Sequence, residues 1–262
     1  MVLVGQRLFY CLEGVKNVNK TEAKLQYDIC TENRNGLPVI IVAAGSSTRM
    51  NGKNKLFLEL NGIPVIAKTL LAFENCEKIK NIILVTRDED ILSMQLVAEK
   101  YMITKLSDIV CGGENRQKSV LNGFARLDEN DKNVLIHDGA RPLVSERIIC
   151  DVADALEKYS AVTCAVRLKD TVKETDEKGM VIKTLDRKSL VAVQTPQGVN
   201  ACEYLKAAEN ADLSLFTDDT SVMEAAGYEV FTVEGDYKNI KITTPEDIFA
   251  AEAMREADGL CE

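Results

Sequence analysis

From residue 38 onward, short apolar runs alternate with stretches in which apolar positions recur every three or four residues. The short runs at 39–42, 81–86, 108–111, 133–137, 161–166 and 228–233 are predicted strands. Helical spacing occupies 64–73, 89–101, 115–126, 145–159 and 199–209. This alternation predicts an α/β fold, a mostly parallel, doubly wound sheet with helices on both faces. Ligands of such sheets sit beyond the carboxyl ends of the strands. Gly45, Gly112-Gly113 and Asp138 each follow a predicted strand, so three motifs share one rim.

Residues 167–190 break the pattern. They are polar and charged, with a turn signal at Asp176-Glu177-Lys178-Gly179 between two alternating flanks, which predicts a β-hairpin. A lone hairpin is marginally stable in water, so this arm is expected to lean on a second subunit. Residues 1–37 read as an N-terminal extension without an assigned role, 38–257 as the main domain, and 258–262 as a C-terminal tail. The opening apolar stretch is interrupted by Gln6 and Arg7 and lacks a signal-peptide layout.

Apolar residues make up 46% of the 262-residue chain, enough for a sizeable core. The net charge of −9 argues against broad nucleic-acid binding, but leaves room for a small basic pocket. Eight cysteines without a C-x-x-C pair, and a single histidine, argue against a zinc site and for a reducing cytoplasm. No apolar run is long enough for a membrane span.

The stretch 38–57 carries the most chemistry. A buried strand runs into Ala43-Ala44-Gly45, two hydroxyls, Arg49 and Lys55. It lacks the spacing of the P-loop and of the dinucleotide fingerprint. Exposed backbone N–H groups beside fixed positive charge suit a triphosphate, and the pattern resembles the loop of nucleotidyltransferases. An ordinary strand–turn–helix connection with solvated cations would also read this way. Gly112-Gly113 lets a ring or phosphate approach the backbone closely, ahead of Asn115 as a helix cap. Asp138, beside Gly139 and Ala140 at a strand end, suits magnesium, and Arg141 would face the same anions. His137 reads as a packed side chain, Asp218 as a helix cap, and Lys241 as lying on a short strand before a final helix opened by Pro245.

Taken in order, these motifs resemble the 2-C-methyl-D-erythritol 4-phosphate cytidylyltransferases of isoprenoid precursor synthesis, over about residues 38–257. The resemblance rests on Ala43-Ala44-Gly45, Arg49-Met50, Asn54-Lys55, Gly112-Gly113 with Arg116 and Ser119, His137 to Pro142, Lys169-Asp170-Thr171, Asp186-Arg187, Gln194 to Gln197, Thr217-Asp218 and Asn239 to Thr243. It implies a Rossmann-like nucleotidyltransferase fold and transfer of CMP from CTP to the polyol phosphate, with pyrophosphate released. It also implies a magnesium ion and a homodimer with interlocking arms. By this resemblance Arg49, Lys55 and Lys241 act on the reacting phosphates and Asp138 binds magnesium. Ala43, Ala44, Gly45, Gly113, Glu114 and Ser119 bind the nucleotide. Arg141, Thr171, Arg187, Thr195 and Thr217 handle the polyol phosphate, with Thr171 and Arg187 expected to serve the neighbour's site.

The chain departs from common family usage at Asn54, where proline is frequent, at Glu114, often Asp, and at Arg167, often Pro. The nearest rival is a ribitol 5-phosphate cytidylyltransferase. That group tends to carry Asp-Ser-Val-Arg-Pro where this chain has Asp138-Gly139-Ala140-Arg141-Pro142, and Arg-Asp-Asn-Met where it has Asp186-Arg187-Lys188-Ser189. A non-catalytic nucleotide sensor would have lost Lys55 or Asp138, and both are present. The nucleophile of the implied reaction is already anionic, so catalysis is charge neutralisation and alignment and needs no general base.

Overall fold

The computed structural model describes residues 35–45, 54–209 and 211–259, with side chains to residue 254. Arg49, the extension before residue 35 and most of the expected tail lie outside the described residues. A seven-stranded sheet forms the centre, in the order β11-β7-β10-β6-β1-β4-β5. Its strands are β1 (Leu37–Val42), β4 (Ile79–Thr86), β5 (Leu106–Cys111), β6 (Asn133–Asp138), β7 (Ala161–Arg167), β10 (Val191–Asn200) and β11 (Val230–Glu234). β1 pairs in parallel with β4 and with β6, and β4 in parallel with β5. β2 (Glu59–Leu60) and β3 (Ile63–Pro64) form a small separate ladder.

The apolar runs are continuous because the sheet is covered on both faces. Val39, Ile41, Leu84 and Leu135 enter one core with α1 (Val65–Glu74), α2 (Ile91–Lys100), α4 (Glu146–Ala155) and α7 (Pro245–Gly259). Ile40, Ile83, Val85, Val134 and Ile136 enter the other, with α3 (Arg116–Phe124), α5 (Ala201–Glu209) and α6 (Asp219–Ala225). Contact on the second face is close. A Cβ on Gly123 of α3 would stand 2.6 Å from Cγ2 of Ile40.

The six predicted strands are all present, and two expectations need correction. The helix expected from 199 begins at Ala201, because Val199 and Asn200 still pair with Val134 and Asn133 of β6. β10 is a full interior strand, antiparallel to both β6 and β7. Gln194, Thr195 and Gln197 on it are buried and polar, which hid it from a hydrophobicity pattern. Pro196, with no N–H to give a ladder, lies within the register shift between Val193 and Gln197. Lys241 lies in an irregular segment instead of on a strand, since Ile242 makes one backbone bond, to Ala140 O at 2.8 Å.

Residues 167–190 contain a two-stranded antiparallel ladder, β8 (Lys173–Thr175) with β9 (Val181–Thr184). Every residue of both strands is exposed. At the turn Gly179 takes φ +82°, a conformation that favours glycine, and its N–H bonds Asp176 O at 3.0 Å.

His137 is fully buried in β6, its ring 4.8 Å from that of Phe73. Nε2 lies 3.2 Å from Arg141 O, and Nδ1 lies 3.1 Å from Thr195 Oγ1. A neutral ring with its proton on Nε2 satisfies both partners, the Thr195 hydroxyl donating to Nδ1. Burial pushes His137 down from 6.5 to about 3, against the pull of Asp138. As pH falls below 6.5 the unfolded chain takes up a proton that the folded chain refuses, so stability declines down to about pH 3. In His137→Gln, the slope of melting temperature against pH over that window is expected to flatten, whatever the absolute melting point. A calorimetric series in which the slope is unchanged would overturn the assignment.

Candidate active site

β1, β5 and β6 deliver the site at their carboxyl ends. After β1, Ala43 donates its N–H to Val85 O at 2.7 Å, and its methyl is buried in the core. It closes the core beneath the rim, while Gly45 is exposed. After β5, Gly112 donates to Thr86 O at 2.8 Å. A Cβ on Gly112 would sit 2.3 Å from Cβ of Ala44, so the two rim loops meet only because position 112 lacks a side chain. Gly113 N–H donates to Ser119 Oγ at 3.0 Å, and that hydroxyl donates to Asn115 O at 2.9 Å. Ser119 thus braces the Gly113 turn from inside, with Glu114 exposed on it. Asn115 caps α3, accepting from Lys118 N–H at 2.8 Å.

Asp138, at the end of β6, is the centre of charge. Lys241 Nζ lies 2.9 Å from its Oδ2, Arg116 Nε 3.4 Å from Oδ1, and Arg141 Nε 3.6 Å from Oδ2. Its backbone N–H donates to Thr195 Oγ1 at 3.1 Å. Burial works against the ionised carboxylate, but Arg116 and then Lys241 outweigh it and hold Asp138 well below the usual range. Arg116 also grips Asp219 with two bonds, Nη1 to Oδ1 at 2.9 Å and Nη2 to Oδ2 at 2.7 Å. Burial opposes the charge on Arg116, and Asp219 followed by Asp138 overcomes it, so the guanidinium stays protonated.

The remaining cations are set by backbone oxygens. Arg141 Nη1 donates to Asn239 O at 2.7 Å, and Lys55 Nζ to Ile242 O at 2.7 Å. Asn239 is fully buried and donates to Thr195 O at 2.8 Å. Asp247 accepts from Thr243 and Thr244 N–H at 2.7 and 2.8 Å, securing the segment that carries Lys241. Nε of Arg141 and Oδ1 of Asn239 are buried and make no hydrogen bond. A cavity of about 470 Å³ opens onto Arg116, Asp138, Arg141, Thr195, Thr217 and Lys241.

The single chain therefore gathers Asp138, Arg141, Thr195, Thr217 and Lys241 around one space. Thr171 and Arg187 do not line it. Both are exposed on the hairpin segment, where Arg187 donates to Lys169 O. Sequence reasoning did not single out Arg116 and Asp219 as a unit. Arg116 stood within the glycine motif, and Asp219 directly follows the capping Asp218, whose Oδ1 accepts from Ser221 N–H at 3.2 Å. Only the fold, which brings the start of α3 beside the start of α6, makes them partners.

Comparison with known proteins agrees with this geometry. The family model described as IspD, 2-C-methyl-D-erythritol 4-phosphate cytidylyltransferase, matches residues 37–256. A protein of that name from Bacillus cereus is 46% identical over 219 residues, covering 82% of this chain and 96% of its own. One from Caldanaerobacter subterraneus is 46% identical over 217 residues, covering 81% and 96%. The crystal structure of 4-diphosphocytidyl-2C-methyl-D-erythritol synthase from Anaerococcus prevotii superimposes with a TM-score of 0.76 at 33% identity, covering 87% of this chain and 99% of its own. The chain belongs to the 2-C-methyl-D-erythritol 4-phosphate cytidylyltransferase family.

Proposed function

We propose that this chain transfers CMP from CTP to 2-C-methyl-D-erythritol 4-phosphate, giving the cytidine diphosphate alcohol and pyrophosphate. The observation that carries the reading is the rim itself: one ionised carboxylate, Asp138, set among Arg116, Arg141 and Lys241 beside an open cavity. Such a site favours a reaction between two anions. A phosphate oxygen of the alcohol attacks the α-phosphorus of CTP, and the bond to the β-phosphate oxygen breaks. The attacking oxygen carries negative charge at neutral pH, so no base is needed, and the buried neutral His137 is not asked to act as one. Arg49, Lys55 and Lys241 offset charge as pyrophosphate leaves. Arg141 borders the cavity with its Nε turned to Asp138 and its Nη1 to Asn239 O, which fixes its positive charge where a substrate phosphate would meet it.

Ala44, Gly45 and the Gly113–Ser119 turn form the nucleotide side. Ala44 and the exposed Gly45 and Gly113 have little or no side chain, which leaves room for a ring or phosphate beside the backbone. Asp138 is the ligand type magnesium takes, one or two carboxylates with phosphate oxygens and water completing the shell, although Lys241 and Arg116 pair with its two oxygens here. Asp138 would hold it, and the ion would supply further charge neutralisation on the triphosphate. The exposed Met180, Val181 and Ile182 of the hairpin support a homodimer in which Thr171 and Arg187 reach the neighbouring site. The described cysteines are free thiols, which supports a cytoplasmic setting. No helix among the described residues is long and apolar enough to cross a membrane.

The direct test is pyrophosphate release with CTP, magnesium and either polyol phosphate. Release with methylerythritol phosphate and not with ribitol 5-phosphate is expected, and the reverse preference would overturn the reading. Lys55→Ala and Arg49→Ala are each expected to lower kcat by roughly 10²–10³-fold, with melting curves unchanged. Near-normal turnover in a normally folded variant would remove the residue from the chemistry. Arg187→Ala is expected to raise KM for the polyol phosphate far more than KM for CTP, and equal rises would count against its placement.

A further inference from the structure

Lys55 leaves from a 3₁₀ turn of only three residues, Lys55–Phe57. Leu56 is the residue of this turn that is fully seated in the core, 3% exposed. Phe57 is only half-buried against the same core, so the turn has a short apolar footing, and any rotation of it would carry the lysine along. Asn54 opposes that motion with both ends of one amide. Its Oδ1 accepts from Leu56 N–H at 3.1 Å, and its Nδ2 donates to Asp90 Oδ2 at 2.8 Å.

Asp90 is a firm anchor. It is 7% exposed and ends the 3₁₀ turn between β4 and α2. Arg87 holds the same oxygen through Nε and Nη2, both at 2.7 Å, while its Nη1 lies 2.8 Å from Glu89 Oε1. A charge-assisted pair of this kind is stronger and better directed than a neutral contact. Position 54 therefore needs a side chain that accepts from a backbone N–H and donates to a carboxylate at once, which an amide does and an acid does not.

We infer that Asn54 and Asp90 are positioning residues for Lys55, joining its turn to the β4–α2 connection so that the ammonium is fixed between that anchor and the carbonyl of Ile242. The inference rests on the cytidylyl-transfer reading above. None of Asn54, Asp90 and Lys55 lines the cavity. Lys55 meets the site through Ile242, the neighbour of Lys241, so an effect of Asn54 and Asp90 on catalysis passes through the lysine.

The test is a double-mutant cycle read in kcat, with CTP, magnesium and methylerythritol phosphate, on wild type, Asn54→Ala, Asp90→Ala and the double variant. Each single change is expected to lower kcat about ten-fold, the scale of a small misplacement of a catalytic group. The double change is expected to cost no more than either single one, because both cut the same link. KM for the polyol phosphate should stay within about two-fold, since uniform binding is not lost. Asn54→Asp keeps the acceptor for Leu56 but meets Asp90 as a like charge, so it should fall as far as Asn54→Ala. That variant leaves Arg87 and Asp90 intact and decides the matter if Asp90→Ala does not fold. Multiplying losses, or lowered melting points with kcat unchanged, would overturn the inference. A wild-type protein that releases no pyrophosphate would overturn the underlying activity instead.

Discussion

The carboxylate of Asp138 draws cations from three separate parts of the chain: the start of α3, the loop after β6 and the segment before α7. Without it, Arg116, Arg141 and Lys241 would crowd like charges into a partly buried space at considerable cost. With it, the positive rim exists before any ligand arrives. Charge stabilisation that is already oriented does not require reorganisation during the reaction. The same carboxylate also ends β6, whose partner on one side is β1, so the loop after β1 and the cation cluster are set by one stretch of sheet.

A second layer of polar contacts keeps the cluster in register. Gln197, fully buried on β10, accepts from the N–H of Asp219 and Thr220 at 2.8 and 3.2 Å, and donates to Asp218 Oδ2 at 2.7 Å. α6 is thereby docked with Asp219 facing Arg116. Gln194 accepts from Asp236 N–H at 3.3 Å and donates to Asp236 O at 2.8 Å, which secures the chain leading to Asn239 and Lys241. Interior polar groups of this sort stabilise only when their partners are in place, so they specify one arrangement of the elements around them.

Much of this was legible because the strands are short apolar runs and each chemical motif follows one directly. Asp138, Gly112-Gly113 and Ala44-Gly45 needed only the rule that ligands gather at strand ends. β10 was not legible as an interior strand, since Gln194, Thr195 and Gln197 are buried by virtue of hydrogen bonds and not of apolarity. The Arg116–Asp219 pair and the Asn54–Asp90 link join residues far apart in the chain, and no local spacing announces them. Lys241 does stand beside Asp138 at the cavity, but not on a strand, because Ile240 and Ile242 mimic alternation in a segment held by the Ile242 bond to Ala140 and by Asp247.

The hairpin segment has one more consequence. It leaves the sheet after Arg167 and returns at Val191, and those two residues face each other across adjacent strands. The excursion is thus an elongated loop whose two feet stand side by side. Because the sheet register is closed by Arg167 against Val191, the excursion can lengthen or shorten beyond that pair without shifting the strands that carry the cavity.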